Sequence, residues 1–162
     1  MTLTIRPTPP DHPQVLALIA ELDAYLASLY EPEDVYIVDL AGLQDPSVTF
    51  LGAWDGDVLV ACGAVRLMPA EPASDGRPYG EIKRMFVSPA RRGARIGERM
   101  LEALERGLRE RGIDRALLET GPPQLAALKL YARCGYVRRG AYAGYPDNAN
   151  ASVFMEKRWT PA

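Results

Sequence analysis

The segment RRGARIGERMLEAL, residues 91–104, concentrates positive charge where a helix begins. It follows EIKRMFVSPA, an apolar run that ends at a proline and reads as a β-strand. A strand feeding a basic, glycine-containing turn at a helix start presents backbone N–H groups and cations together, a combination that holds phosphate. Lys83, Arg84, Arg91, Arg92 and Arg95 lie between Glu81 and Glu98 with no acidic residue among them. In a chain of net charge −2, this local excess points to a small anionic ligand and away from a nucleic-acid partner. Arg92 adds a planar guanidinium fork that matches phosphate oxygens.

Other chemistries have less to work with. Ser88, Cys62 and Cys134 are candidate nucleophiles, but His12 is the single histidine and sits in a proline-rich N-terminal segment, so a Ser-His or Cys-His pair is not expected. The two cysteines lie in apolar contexts and read as buried, reduced thiols. One histidine and two distant cysteines do not make the usual zinc ligand set, so no metal is expected. No window approaches the roughly 20 apolar residues of a membrane span, and MTLTIRPTPP lacks the basic-then-apolar order of a signal peptide. The expectation is a soluble cytoplasmic protein with no membrane partner.

The elements that must position these residues follow from periodicity. With 162 residues and 48 % apolar composition, the chain reads as a single domain, 1–162. TLTIR at 2–6 predicts a strand. Val15, Leu18, Ile19, Leu22, Leu26 and Leu29 fall at helical spacing, with Asp11 as the expected N-cap and Pro13 in the first turn. Residues 31–46 read as a loop with a short helix. VTFLGAWDGDVLVACGAVRLM reads as a hairpin turning at Asp55-Gly56. A strand over 80–88 leads to a helix over 96–111, its buried stripe Ile96, Met100, Leu101, Leu104 and Leu108 and its stop Gly112. IDRALLET predicts a strand, PQLAALKLYARCG a helix, and YVRRGAY and SVFMEKRW two final strands. The alternation predicts an α/β (α+β) mixed sheet with helices on its faces.

EIKRMFVSPARRGARIGERMLEAL, followed about 30 residues later by LKLYARCGY, resembles the GNAT N-acetyltransferase superfamily. That fingerprint is a strand, then Arg/Gln-x-x-Gly-x-Gly/Ala, then a helix, with Tyr-x-x-x-Gly-Tyr/Phe downstream. The resemblance implies the GNAT fold: a central mixed, mostly antiparallel sheet of about seven strands, flanked by helices on both faces. It implies acetyl-CoA as co-substrate, bound by the turn Arg92, Gly93, Ala94, Arg95, Ile96 and Gly97. The backbone of Met85, Phe86 and Val87 would lie along the pantetheine arm where the sheet parts. Gln124 stands where relatives carry an amide that touches the cofactor. Tyr131 would protonate the departing thiolate, and Glu81 would take the proton of the amine. Arg95 departs from the pattern by occupying the middle glycine position, where a side chain swung outward would add charge toward a phosphate.

The implied activity is acetyl transfer to a primary amine of a small molecule, amino acid or peptide, by direct transfer in a ternary complex. Two rivals remain: an acyl-CoA-binding sensor without turnover, and a protein lysine or N-terminal acetyltransferase. Tyr142, Tyr145, Asp147 and Asn148, in the loop between the last two strands, read first as turn chemistry and second as part of an acceptor wall. Arg66 and Arg84, on adjacent strands, are weak candidates to bind an acceptor carboxylate. Family members are often dimers, so a homodimer is admitted by analogy.

Overall fold

The computed structural model describes residues 2–160. β1 (Leu3–Pro7) precedes α1 (Pro13–Leu29); a connection containing α2 (Leu40–Leu43) leads to β2 (Val48–Asp55) and β3 (Val58–Met68). Then come β4 (Tyr79–Val87), α3 (Ile96–Glu110), β5 (Arg115–Thr120), α4 (Leu125–Arg133), β6 (Val137–Arg139) and β7 (Val153–Arg158). The seven strands form one open sheet in the order β1-β2-β3-β4-β5-β7-β6. Every neighbouring pair is antiparallel except β4 and β5, which run parallel with α3 as the crossover.

Strand alternation sends two sets of side chains to opposite faces, and the helices cover both. Ile96, Met100, Leu101, Leu104 and Leu108 of α3 pack with Ala61, Val65, Ile82, Ala116 and Leu118. Val15, Leu18 and Leu22 of α1 pack with Phe50, Cys62, Ala64 and Phe86 on the other face. Each Val, Leu, Ile, Met or Phe side chain among them contributes about 1.5–3 kcal/mol through removal from water. A third cluster, Tyr79, Leu117, Tyr142 and Phe154, covers the α1-side face where no helix reaches.

The expected elements are present, with local corrections. The N-cap of α1 is His12 instead of Asp11: its Nδ1 accepts from the Gln14 N–H at 3.1 Å, and its ring meets Trp54 edge-on. The single histidine is therefore a cap. The hairpin turns on Gly56-Asp57, since Asp55 already pairs with Val58. YVRRGAY contributes only the three residues of β6, because residues 141–145 leave the sheet and bring their tyrosines beneath it.

Candidate active site

β4 and β5 pair only from Gly80 to Ile82 and from Ala116 to Leu118, then part. Both strands continue, to Val87 and Thr120, so the second half of β4 has no hydrogen-bonding neighbour on that side. The parting coincides with a register shift against β3 between Cys62 and Ala64. Opposite that shift Arg84 adopts φ +56, a left-handed conformation that costs a non-glycine residue about 1–2 kcal/mol.

Arg84's own bonds hold the bulge. Its carbonyl accepts the Cys62 thiol at 3.3 Å, its Nε donates to the Val38 carbonyl at 3.0 Å, and its Nη1 pairs with Asp23 of α1. Burial pushes the Cys62 thiol up to about 12, so this cysteine is a packed donor with no nucleophilic role. Both cysteines are free, Cys62 buried and Cys134 half-buried. Arg84, read as a weak carboxylate binder, is occupied as a clamp between β4, α1 and the 31–39 loop.

Met85, Phe86 and Val87 lie on the unpaired half of β4. The Ser88 N–H bonds the Val60 carbonyl at 2.8 Å, which fixes the ladder with β3. Alternation then turns the Val87 amide toward the gap.

Beyond β4, a 3₁₀ turn (Pro89–Arg91) leads to Arg92, Gly93, Ala94 and Arg95, all exposed, and to buried Ile96 and Gly97 at the start of α3. Among the described residues no side chain caps α3. Its first-turn N–H groups and those of Gly93 and Ala94 make no hydrogen bond among the described residues, and they stand at the positive end of the helix dipole. Arg92 folds back on the strand: its Nε donates to the Val87 carbonyl at 3.3 Å and its guanidinium lies 5.5 Å from the Phe86 ring centroid.

Arg95 is the α3 N-cap at φ +58, a left-handed position that glycine fills at no steric cost. The backbone there is left-handed, and the exposed side chain is free to swing out. Arg95→Gly should therefore raise stability by about 0.5–1 kcal/mol, as relieved strain exceeds the extra freedom of the unfolded chain. A urea midpoint equal to or below that of the parent would contradict this. Gly97 serves packing: a Cβ there would sit 2.9 Å from Leu130 of α4.

A cleft opens on the α1 side of the parting. Its walls are Leu22, Leu26 and Tyr30 of α1 and its end, residues 34–38, Ile82 to Met85 of β4, Glu119 and Thr120 of β5, and Gln124 and Tyr131 of α4. Tyr30 packs so closely on the β5–α4 connection that a Cβ on Gly121 would fall 1.7 Å from its hydroxyl. Gln124 donates from Nε2 to that hydroxyl at 2.9 Å, which closes one end of the cleft.

Four groups of this cleft have shifted ionisation, Tyr30 and Lys83 among them, and two bear on the chemistry. Burial, reinforced by the negative charge of Glu81, pushes the Glu119 carboxyl up to about 7 against the opposing pull of Lys83. Burial also pushes the Tyr131 phenol well above its ordinary value, with Cys134 and Glu119 adding to the effect. Glu119 escaped the sequence reading; its signal was one carboxylate in the apolar strand ALLET, on a β-strand that ends where the sheet opens.

Glu81 is placed differently from expectation. It is 2 % exposed, lies off the cleft wall, and its Oε2 accepts from the Tyr142 hydroxyl at 2.7 Å and the Tyr145 hydroxyl at 2.8 Å. Lys83 Nζ stands 3.6 Å from the same carboxylate and donates to the Tyr145 hydroxyl. Burial lowers the Lys83 pKa, opposed by the charges of Glu81 and Glu119. Tyr142 and Tyr145 thus reach the site, whereas Asn148 makes turn contacts, accepting at Oδ1 from the Asn150 N–H.

Over residues 15–136 the sequence matches the acetyltransferase (GNAT) family. The chain belongs to the GNAT family. As a GNAT protein it is an acetyl-CoA-dependent acyltransferase. It is 41 % identical to the IAA acetyltransferase of Azospirillum brasilense over 96 % of this chain and 97 % of the relative. It is 31 % identical to the uncharacterized N-acetyltransferase YsnE of Bacillus subtilis over 90 % of this chain and 92 % of that one. Among solved structures, a Klebsiella pneumoniae protein described as an acyl-CoA N-acyltransferase superposes with a TM-score of 0.78 at 38 % identity, covering 97 % of both chains. The seven-stranded order and the helices on both faces are the GNAT fold. Among the described residues no helix is long and apolar enough to cross a membrane.

Proposed function

We propose that this protein moves an acetyl group from acetyl-CoA to the primary amine of a small molecule, by direct transfer in a ternary complex, with Glu119 as general base and Tyr131 as general acid. The observation that carries the reading is that these two groups line one cleft where β4 and β5 part. The residues fit the co-substrate. The uncapped turn from Arg92 to Gly97 offers backbone N–H groups and two guanidinium groups to a pyrophosphate, and the unpaired stretch Met85–Val87 offers backbone to an extended arm. When bound, acetyl-CoA supplies an activated thioester. Gln124, held by Tyr30, stands at the α4 end of the cleft in reach of that arm.

Glu119, near half ionised at neutral pH, accepts the proton of an alkylammonium, whose pKa of about 10 leaves it no lone pair otherwise. An N–H of Met85–Val87 stabilises the carbonyl oxygen as charge develops on it. Tyr131 keeps its proton until a thiolate needs it, because burial disfavours the phenolate. The role first read onto Glu81 passes to Glu119, and Glu81 becomes the anchor of Lys83 and two tyrosines. The closure of the cleft by Tyr30 and the 34–38 loop favours a small acceptor over a protein surface.

The test is a calorimetric titration with acetyl-CoA, followed by a screen of amines for release of free thiol. Binding with amine-dependent release supports the proposal. Absence of binding refutes it, and binding without release on any amine favours the sensor alternative.

A further inference from the structure

We infer that the acceptor is an α-amino acid with an apolar or aromatic side chain, whose carboxylate is bound by Lys83 with Arg66 behind it. This rests on the transfer reading above and names the substrate class for the same cleft.

Lys83 is the basic residue of the cleft wall whose ammonium keeps a donor direction beyond its scaffold contacts with Tyr145 and Glu81. Arg84, the other, is spent on Asp23 and the Val38 carbonyl. An ammonium has three donors in fixed directions. One goes to the Tyr145 hydroxyl, which itself donates to Glu81, and one faces the Glu81 carboxylate 3.6 Å away. The third remains for a ligand. The relay Lys83–Tyr145–Glu81–Tyr142 fixes the ammonium through three other side chains and leaves it on the cleft wall.

Arg66 stands opposite Glu81 on β3 and points to the same face of the sheet. It is half-buried, and among the described residues its guanidinium makes no hydrogen bond or close ion pair, although its charge acts on Asp45. It is close enough to Lys83 to act on its charge. Around the cleft, Arg84 pairs with Asp23 and Lys83 with Glu81, while Asp34 on the wall and Asp45 near Arg66 bring further negative charge. One carboxylate on the acceptor offsets the mutual repulsion of Arg66 and Lys83. Two like charges held together without such a partner would repel. Leu22, Leu26, Val35 and Val38 with the rings of Tyr30 and Tyr36 make the α1 side of the wall mainly apolar, with Asp34 its one carboxylate; Tyr36 meets Tyr145 edge-on at 5.4 Å. A zwitterion with an apolar side chain meets each surface: amine to Glu119, carboxylate to Lys83, side chain to α1 and the 34–38 loop.

The experiment compares matched pairs in the thiol-release assay: phenylalanine against phenethylamine, leucine against isoamylamine. In the parent protein the amino acid of each pair should show kcat/KM at least tenfold higher, carried mainly by KM. Lys83→Met should bring that ratio close to one, and Arg66→Met, which disturbs no bonded partner, should reduce it several-fold. If Lys83→Met does not fold, the Arg66→Met ratio and the parent preference still decide. Equal or better use of the decarboxylated amines by the parent overturns the inference and leaves amine acetylation standing. Acetyl-CoA binding with no amino acid or amine of the pairs used also overturns it. Failure to bind acetyl-CoA refutes the transfer reading itself.

Discussion

Glu119→Gln should lower kcat/KM at pH 8 by about 10²–10⁴-fold, the range for loss of a positioned general base. It should also remove the acidic limb near pH 7 from the rate profile, because the carboxyl held at about 7 is the group that must ionise. The same substitution has a stability consequence of fixed sign. A carboxyl raised above its ordinary 4.5 favours the fold when protonated, and that contribution is lost as pH rises through 7. The glutamine variant should therefore gain on the parent with increasing pH and be the more stable by about 2 kcal/mol at pH 9, after solvent screening of the partly exposed group. Melting curves at pH 5 and pH 9 separate the two effects. Glu81→Gln should keep the acidic limb while loosening the two tyrosines. A limb that survives in Glu119→Gln and disappears in Glu81→Gln would return the base to Glu81.

Tyr131→Phe should reduce kcat about a hundredfold with little change in KM for acetyl-CoA, since only proton donation in the transition state is removed. The ring keeps its contact with Tyr136, whose centroid lies 5.8 Å away, so packing is retained. The diagnostic is the leaving group. With an activated aryl thioester, whose thiolate departs without a proton, the variant should approach the parent rate. An equal defect with both thioesters would assign the hydroxyl a positioning role instead.

Much of the architecture was legible because the informative residues act locally. The stripe from Ile96 to Leu108 specifies a helix with one buried side, and Gly112, at φ +74, ends it. The basic turn was readable for the same reason: the strand, the turn and the helix start are contiguous. What remained hidden depends on register. Whether Glu81 or Glu119 faces the cleft is decided by where β4 and β5 part, and that follows from a bulge whose cause is distributed over Cys62, Arg84, Asp23 and Val38. Tyr142 and Tyr145 sit about 60 residues from Glu81 in sequence and reach it only because their loop folds under the sheet. Asp11 lost the cap to His12 by one position, a choice that side-chain reach decides and spacing does not.

The parting of β4 from β5 has a further consequence for how the protein stays unaggregated. A row of free amides and carbonyls on an outer strand is a template for the strand of another chain, and proteins ordinarily blunt such edges with charge, proline or a covering loop. Here the free row belongs to an inner strand, with β3 on one side and β5, joined to it as far as Ile82, on the other. The neighbouring strand is itself the guard. A strand from another copy would have to enter a notch closed at its base and flanked on both sides, a harder approach than an outer edge offers, so the free row is guarded by its own neighbours.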